Sequence, residues 1–410
     1  MEMTRRGLLG TAALATAMPA FATTDERWAQ IAAQYDVTRK VVQLEHGNWG
    51  MMAKPVLTAY RAQIERVNRD TSFYARREMP SEIEAIRALV AREMGVATGE
   101  IAFTRNATEA MRALILGYNR LRPGDAVLHA DLDYDSMRAC IESLKARRGV
   151  EVISIALPLP ASHQALIDAY AAAFAAHPNI RMVLLTHVSH RTGLVLPVAE
   201  IAAMARGKGV DAIVDAAHSV GQIDFRLPDL KSDFIGINLH KWIGAPLGVG
   251  AICVRGGRLA DIDVDPAEPD LGPDDIRARV HTGTPDYGAQ LAIPAALDFQ
   301  ASVGLAAKEA RLKALRDRWV HAARDIPGIE ILTPDDPRCY GAITAFRLAG
   351  RTSHADNVAL ARLLLEKYGI FTVHRDGLGS GSCVRVTPAL ATSMADVDRL
   401  TDALREIARS

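Results

Sequence analysis

Two stretches decide how this chain folds: Ala212-Ile213-Val214-Asp215-Ala216-Ala217-His218, and further on Phe234-Ile235-Gly236-Ile237-Asn238-Leu239-His240-Lys241-Trp242. Each opens as a short apolar run and ends in groups that carry charge or hydrogen bonds. Runs this short, bounded by polar and turn residues, read as strands buried on both faces of a parallel sheet. In an open α/β sheet, ligands bind beyond the carboxyl ends of the strands, so Asp215 and Lys241 mark one end of the sheet as the place for chemistry. A carboxylate there is costly unless it is paired. A lysine is ordinarily a solvated surface group. Lys241, however, lies between apolar strands and the loop Gly244-Ala245-Pro246-Leu247-Gly248, where burial would lower its pKa and make the amine nucleophilic.

Outward from these stretches the same alternation continues. From Ser81 to Arg255 short apolar runs alternate with helical ones, the pattern of βαβ units. The predicted strands are Ile101–Arg105, Ala126–Ala130, Val152–Ala156, Met182–Thr186, Ala212–Asp215, Phe234–Asn238 and Val249–Val254, with helices such as Ala107–Asn119, Leu166–Ala176 and Pro197–Lys208 between them. This is an α/β arrangement, a mainly parallel seven-stranded sheet with helices on both faces. Asp261–Asp275 is rich in Asp, Pro and Gly and reads as a surface loop. After it come a long helical stretch, Leu291–Asp325, then strand Ile343–Leu348, helix Ala355–Lys367, strands near Ile370–His374 and Cys383–Val386, and a last helix from Met394, which suggest a smaller α+β domain. The expected organisation is a leader over residues 1–22, an N-terminal segment over 23–80, a large cofactor-binding domain over 81–285, and the long helix with the small domain over 286–410.

The leader rests on Thr4-Arg5-Arg6-Gly7-Leu8-Leu9, a twin-arginine pattern, followed by an apolar run to Met18 and the small-x-small site Ala20-Phe21-Ala22. The run is too short for a permanent membrane span. It predicts export of the folded protein to the periplasm, a route suited to a protein that acquires a cytoplasmic cofactor first. Across 410 residues, 48 Lys and Arg balance 48 Asp and Glu, so no charge excess points to nucleic acid or an anionic membrane. The four cysteines, Cys140, Cys253, Cys339 and Cys383, form no CxxC pair, which argues against a zinc ribbon or dithiol site and leaves buried free thiols as the expectation. Neither an HExxH motif nor clustered carboxylates appear, so no metal is expected, and no GxGxxG turn supports a nicotinamide enzyme.

Two further strand ends carry polar residues. Thr104-Arg105-Asn106-Ala107-Thr108 joins a strand to a helix, where amides and hydroxyls form a ready anion site; an ordinary N-cap by Asn106 or Thr108 explains the segment as well. His187-Val188-Ser189-His190-Arg191-Thr192-Gly193 follows another strand and ends in a turn glycine. Taken singly, Asp215 could cap the next helix and His218 could be a satisfied core histidine. Together the four sites supply what pyridoxal phosphate requires: a lysine to bond it, an acid for its ring nitrogen, an anion cradle and a flat group for the ring face.

With these residues in place, the segment His187 to Arg255 resembles the class V aminotransferase family of fold-type I pyridoxal-phosphate enzymes, and within it the isopenicillin N epimerase-like branch. The likeness runs from about Leu44 to the C-terminus, and Asp215-Ala-Ala-His218 with His240-Lys241-Trp242 is its most specific part. The resemblance implies the PLP-dependent transferase fold of type I. It implies that Lys241 bonds the cofactor and moves the α-proton, that Asp215 holds the ring nitrogen, and that His218 lies beside the ring or its 3'-oxygen. Ala107 and Thr108, after Asn106, match the phosphate loop; Asn238 and His240 match phosphate ligands; Tyr134 matches the stacking aromatic. Gly283-Thr284 matches the motif reaching the neighbouring subunit's phosphate, implying a homodimer, and Arg385 matches the arginine that clamps a substrate carboxylate. His190 stands where relatives often carry Ser or Asn, and Thr387-Pro-Ala-Leu-Ala-Thr392 replaces a common Tyr-Asn pair. The loop His374 to Ser382 lacks the cysteine of the desulfurases, which disfavours that activity; Cys383 immediately precedes the clamp strand and is expected to pack in it. The implied activity is at the α-carbon of an amino acid or amino-acid-like small molecule, as an aminotransferase or epimerase. Siderophore tailoring after export, or an inactive binding protein on the same fold, are the alternatives.

Overall fold

The computed structural model describes residues 24–409; the expected leader lies outside them. Seven strands form the main sheet: β1 (Ile101–Thr104), β2 (Ala126–Ala130), β3 (Glu151–Ile155), β4 (Ile180–Thr186), β5 (Asp211–Asp215), β6 (Phe234–Asn238) and β7 (Gly250–Val254). Their order is β1-β7-β6-β5-β4-β2-β3, parallel except for β7, which runs antiparallel to both β1 and β6.

The side chains explain the burial. Leu128, Val183, Leu185, Val214 and Ile235 pack into one apolar cluster and their chain neighbours Val127, Met182, Leu184, Ile213 and Phe234 into another, so successive residues feed opposite faces. The helices that cover these faces and continue into the small domain are α1 (Lys54–Ala75), α2 (Met79–Met94), α3 (Ala107–Gly117), α4 (Asp135–Arg148), α5 (His163–Ala176), α6 (Val198–Arg206), α7 (Ile293–Val303), α8 (Leu305–Arg324), α9 (His354–Tyr368) and α10 (Met394–Ile407). The edge strand β3 alone in the main sheet has no fully buried residue.

The single long helix expected over Leu291–Asp325 is instead broken between α7 and α8, because Gly304 takes φ 81° and leaves the helical region. The small antiparallel sheet comprises β8 (Ile329–Ile331), β9 (Thr344–Leu348), β10 (Val373–Arg375) and β11 (Cys383–Val386), in the order β10-β11-β9-β8. The N-terminal segment lies beside it in a separate two-stranded sheet: Val42 and Gln43 pair in parallel with Ile370 and Phe371, and Thr387 N donates to Leu44 O at 2.8 Å. That pairing carries Glu45 through Gly50 across to the carboxyl ends of the main sheet. No helix among the described residues is long and apolar enough to cross a membrane.

Candidate active site

A cavity of about 680 Å³ opens where the carboxyl ends of β4, β5 and β6 meet the N-terminus of α3 and the edge strand β10. Lys241, Asp215, His218, Asn238, His240, Ala107, Thr108, Tyr134 and Arg385 all line it. Thr284 does not: it is exposed and lies outside this chain's cavity.

Lys241 is half-buried at the cavity floor, and its desolvation pulls its pKa down to about 8, with Asp215 acting in the opposite direction. Its Nζ lies 2.9 Å from His218 Nε2, while Trp242 Nε1 donates to His218 Nδ1 at 3.4 Å. An indole can only donate, so the imidazole proton sits on Nε2 and points at the amine. The amine can accept that proton's hydrogen bond only as the free base. Burial, and after it the nearby Arg385 cation, hold His218 itself neutral. Asp215 Oδ1 accepts from Ala217 N at 2.9 Å, which leaves Oδ2 for a donor within the cavity. Burial raises the Asp215 pKa, and Lys241 opposes the rise.

At the mouth of β1, Asn106 caps α3 by accepting from Glu109 N at 2.9 Å. Asn238 Oδ1 accepts from Ala107 N at 2.7 Å, so the Ala107 amide expected for an anion is already taken. Asn238 Nδ2 and Thr108 remain to serve it. His240 Nδ1 meets Val249 O at 2.8 Å, which turns Nε2 toward the same region. The loop lies close against β7: a Cβ on Gly250 would come within 2.7 Å of the Asn106 backbone.

Tyr134 meets His190 edge to face, with ring centroids 5.1 Å apart. The buried Arg191 ties their two segments together, donating to the carbonyls of Asp131 and Asp133 and pairing with Asp135. His190 is held neutral by burial and by surrounding arginines, and its buried Nδ1 has no hydrogen-bond partner.

Arg385 is not the open fork that the sequence suggested. Its Nε and Nη2 pair with Glu45, the Nε contact at 3.3 Å, and its Nη1 donates to His190 O at 2.5 Å. A Cβ on Gly47 would lie 2.6 Å from the guanidinium carbon, so any other residue there would displace the Arg385 head group. Arg375, also lining the cavity, stands 3.8 Å from the same Glu45 carboxylate. Sequence reasoning missed both Glu45 and Arg375. A carboxylate inside the glycine-rich run Leu44-Glu45-His46-Gly47-Asn48-Trp49-Gly50 was the available signal. None of the four cysteines lines the cavity, and Cys383 is buried within β11, where its thiol is pushed up to about 12.

Residues 51–400 match the family model described as aminotransferase class-V. The chain belongs to the class-V aminotransferases. Two relatives in this family are the isopenicillin N epimerases of Streptomyces clavuligerus, 32% identical over 92% of this chain and 97% of that protein, and of Amycolatopsis lactamdurans, 30% identical over 93% and 99%. The fold is similar to that of a cysteine desulfurase from Thermococcus onnurineus NA1, with TM-score 0.79 and 19% identity over 93% of this chain and 98% of that one. As a class-V aminotransferase this chain is a pyridoxal-phosphate enzyme, and the cavity fits that cofactor. Asp215 Oδ2 is unclaimed, the Lys241 amine is nucleophilic, and the α3 N-terminus offers Thr108 beside Asn238 and His240.

Proposed function

We propose that this class-V aminotransferase moves the proton at the α-carbon of an amino acid or amino-acid-derived substrate, as an epimerase or an aminotransferase, and that it works as an exported homodimer. The observation that carries the reading is the 2.9 Å pairing of Lys241 Nζ with His218 Nε2 inside the cavity that Asp215 and Arg385 also line. The bound cofactor would supply an electron sink that makes the α-proton removable.

The chain's own residues do the rest. Lys241, partly free base near neutral pH, takes the proton and returns it. Asp215 would keep a negative charge against the ring nitrogen, where the low-dielectric surroundings strengthen the pairing. Arg385 and Arg375 bring two positive charges to one wall and Glu45 cancels one, which leaves a single net charge for one substrate carboxylate. A carboxylate fixed on that wall sets where the α-carbon lies relative to Lys241. His190 or Tyr134, which meet edge to face on the cavity wall, would deliver a proton to the second face, as epimerisation requires. The names of the two bacterial relatives support the epimerase form of the reading.

The test is incubation of the cofactor-loaded enzyme in deuterated water with a panel of amino acids and short peptides. Recovered amino acid with α-label and inverted configuration indicates epimerisation, and a 2-oxo product, whose α-carbon carries no hydrogen, indicates transamination. Neither α-label nor a 2-oxo product from any member, in an enzyme whose absorbance shows bound cofactor, would sink the proposal.

A further inference from the structure

Away from the floor of the cavity, three metal-ligating side chains converge at its rim. His374 lies on β10, Asp376 follows it, and His354 is the first residue of α9. Their candidate ligand atoms all lie within 4.8 Å of one another. His354 Nδ1 is 2.9 Å from Asp376 Oδ2, and His374 Nε2 is 3.6 Å from the same oxygen. Around a tetrahedral zinc ion with bonds of about 2.0–2.2 Å, neighbouring ligand atoms are ~3.3 Å apart. The two separations from Asp376 Oδ2 bracket that value and the two imidazole nitrogens lie within 4.8 Å of each other, so side-chain rotations would bring all three ligands onto one ion.

Two features set this cluster apart from chance surface ion pairs. Ser382 Oγ donates to Asp376 Oδ1 at 2.6 Å, which orients the carboxylate and leaves Oδ2 to both imidazoles, as an outer-shell partner of a metal ligand does. The imidazoles reach that one oxygen from different elements, with ring centroids 5.0 Å apart. His374 and Asp376 also line the cavity and flank Arg375, whereas His354 does not line it.

We infer that His354, His374 and Asp376 form a binding site for a zinc-class divalent ion, with at least one coordination position open at the cavity rim. Two imidazoles and a carboxylate suit Zn²⁺ and its neighbours rather than Mg²⁺ or Ca²⁺. An ion held there would pin the start of α9 to β10 beside Arg375 and narrow the way in for an anionic substrate.

The experiment is calorimetric titration of the cofactor-loaded enzyme with Zn²⁺ alone, followed by Mg²⁺, without substrate, so the outcome does not depend on the proposed reaction. About one Zn²⁺ per subunit should bind, with no heat from Mg²⁺. His354→Ala should weaken binding at least tenfold while leaving the cofactor absorbance and turnover in metal-free buffer unchanged, and Asp376→Asn should weaken it similarly. Added Zn²⁺ should slow turnover of the wild type and spare His354→Ala. Absence of saturable Zn²⁺ binding to the wild type, or wild-type affinity retained in both variants, would overturn the assignment.

Discussion

Lys241 is where sequence, burial and chemistry meet most directly. Its amine loses its proton near pH 8 rather than near the ~10.4 of a solvated lysine, because burial penalises the cation. Lowering the pH protonates the nucleophile, so capture of pyridoxal phosphate by cofactor-free enzyme should slow below pH 8. Raising the pH should bring the rate to a plateau just above that value. Stopped-flow absorbance across pH 6 to 11 checks this; a rate still climbing at pH 10 would show that the amine is not buried in solution. Lys241→Ala should leave no borohydride-fixed cofactor on any peptide. Glu45 supports a second test. Removing it strands a buried arginine, a change that costs on the order of 3–5 kcal/mol. Glu45→Ala should therefore lower the urea midpoint sharply. The milder Glu45→Gln should bind carboxylate inhibitors more tightly than the wild type, because both arginines are then uncompensated. Asp215 and Lys241 were legible in the sequence because a charged group that ends an apolar strand stands out locally. Glu45 was not, because its partner lies 340 residues away and only the tertiary fold brings the two together.

At the scale of elements, the strands of the main sheet were legible to within a residue or two, because burial on both faces leaves uninterrupted apolar runs. The long helix was misread as continuous because its apolar periodicity passes through Gly304, and only a backbone angle reveals the break. The helices Lys54–Ala75 and Met79–Met94 lay in the stretch read only as an N-terminal segment and as the start of the alternation. Packing between elements also sets the anion loop. A Cβ on Gly250 would strike the Asn106 backbone, and overpacking of this kind typically costs 1–3 kcal/mol. Gly250→Ala should push the start of α3 away from Asn238, so the variant should lose cofactor on dialysis against phosphate buffer at least ten times faster than the wild type. Unaltered retention would show that the loop shifts without harm to the cradle.

At the scale of the whole molecule, Thr284 is exposed and lies outside its own chain's cavity. If the proposed homodimer forms, Thr284→Ala should weaken cofactor binding without lowering the melting temperature of the cofactor-free protein, and sedimentation should give twice the chain mass. An unchanged cofactor affinity would remove Thr284 from the site. Export makes a separate prediction: replacing Arg5 and Arg6 with lysine should keep the protein in the cytoplasm, as fractionation with immunoblotting would show.

The parallel pairing of Val42–Gln43 with Ile370–Phe371, and of Glu45 with Arg385, has a consequence for how the chain is made. At a synthesis rate of about 5–20 residues per second, Arg385 leaves the ribosome on the order of 20 to 70 s after Glu45. Through that interval Glu45, a residue destined for burial, has no cation waiting for it, and the wall of the cavity cannot close. The nascent chain can build its main sheet early, with the cofactor-holding residues from Thr108 to Lys241 on it, before the wall that carries Arg385 exists. A chain stalled or clipped before β11 would be left holding a finished sheet with an open, charged mouth, the kind of intermediate that quality-control proteases recognise.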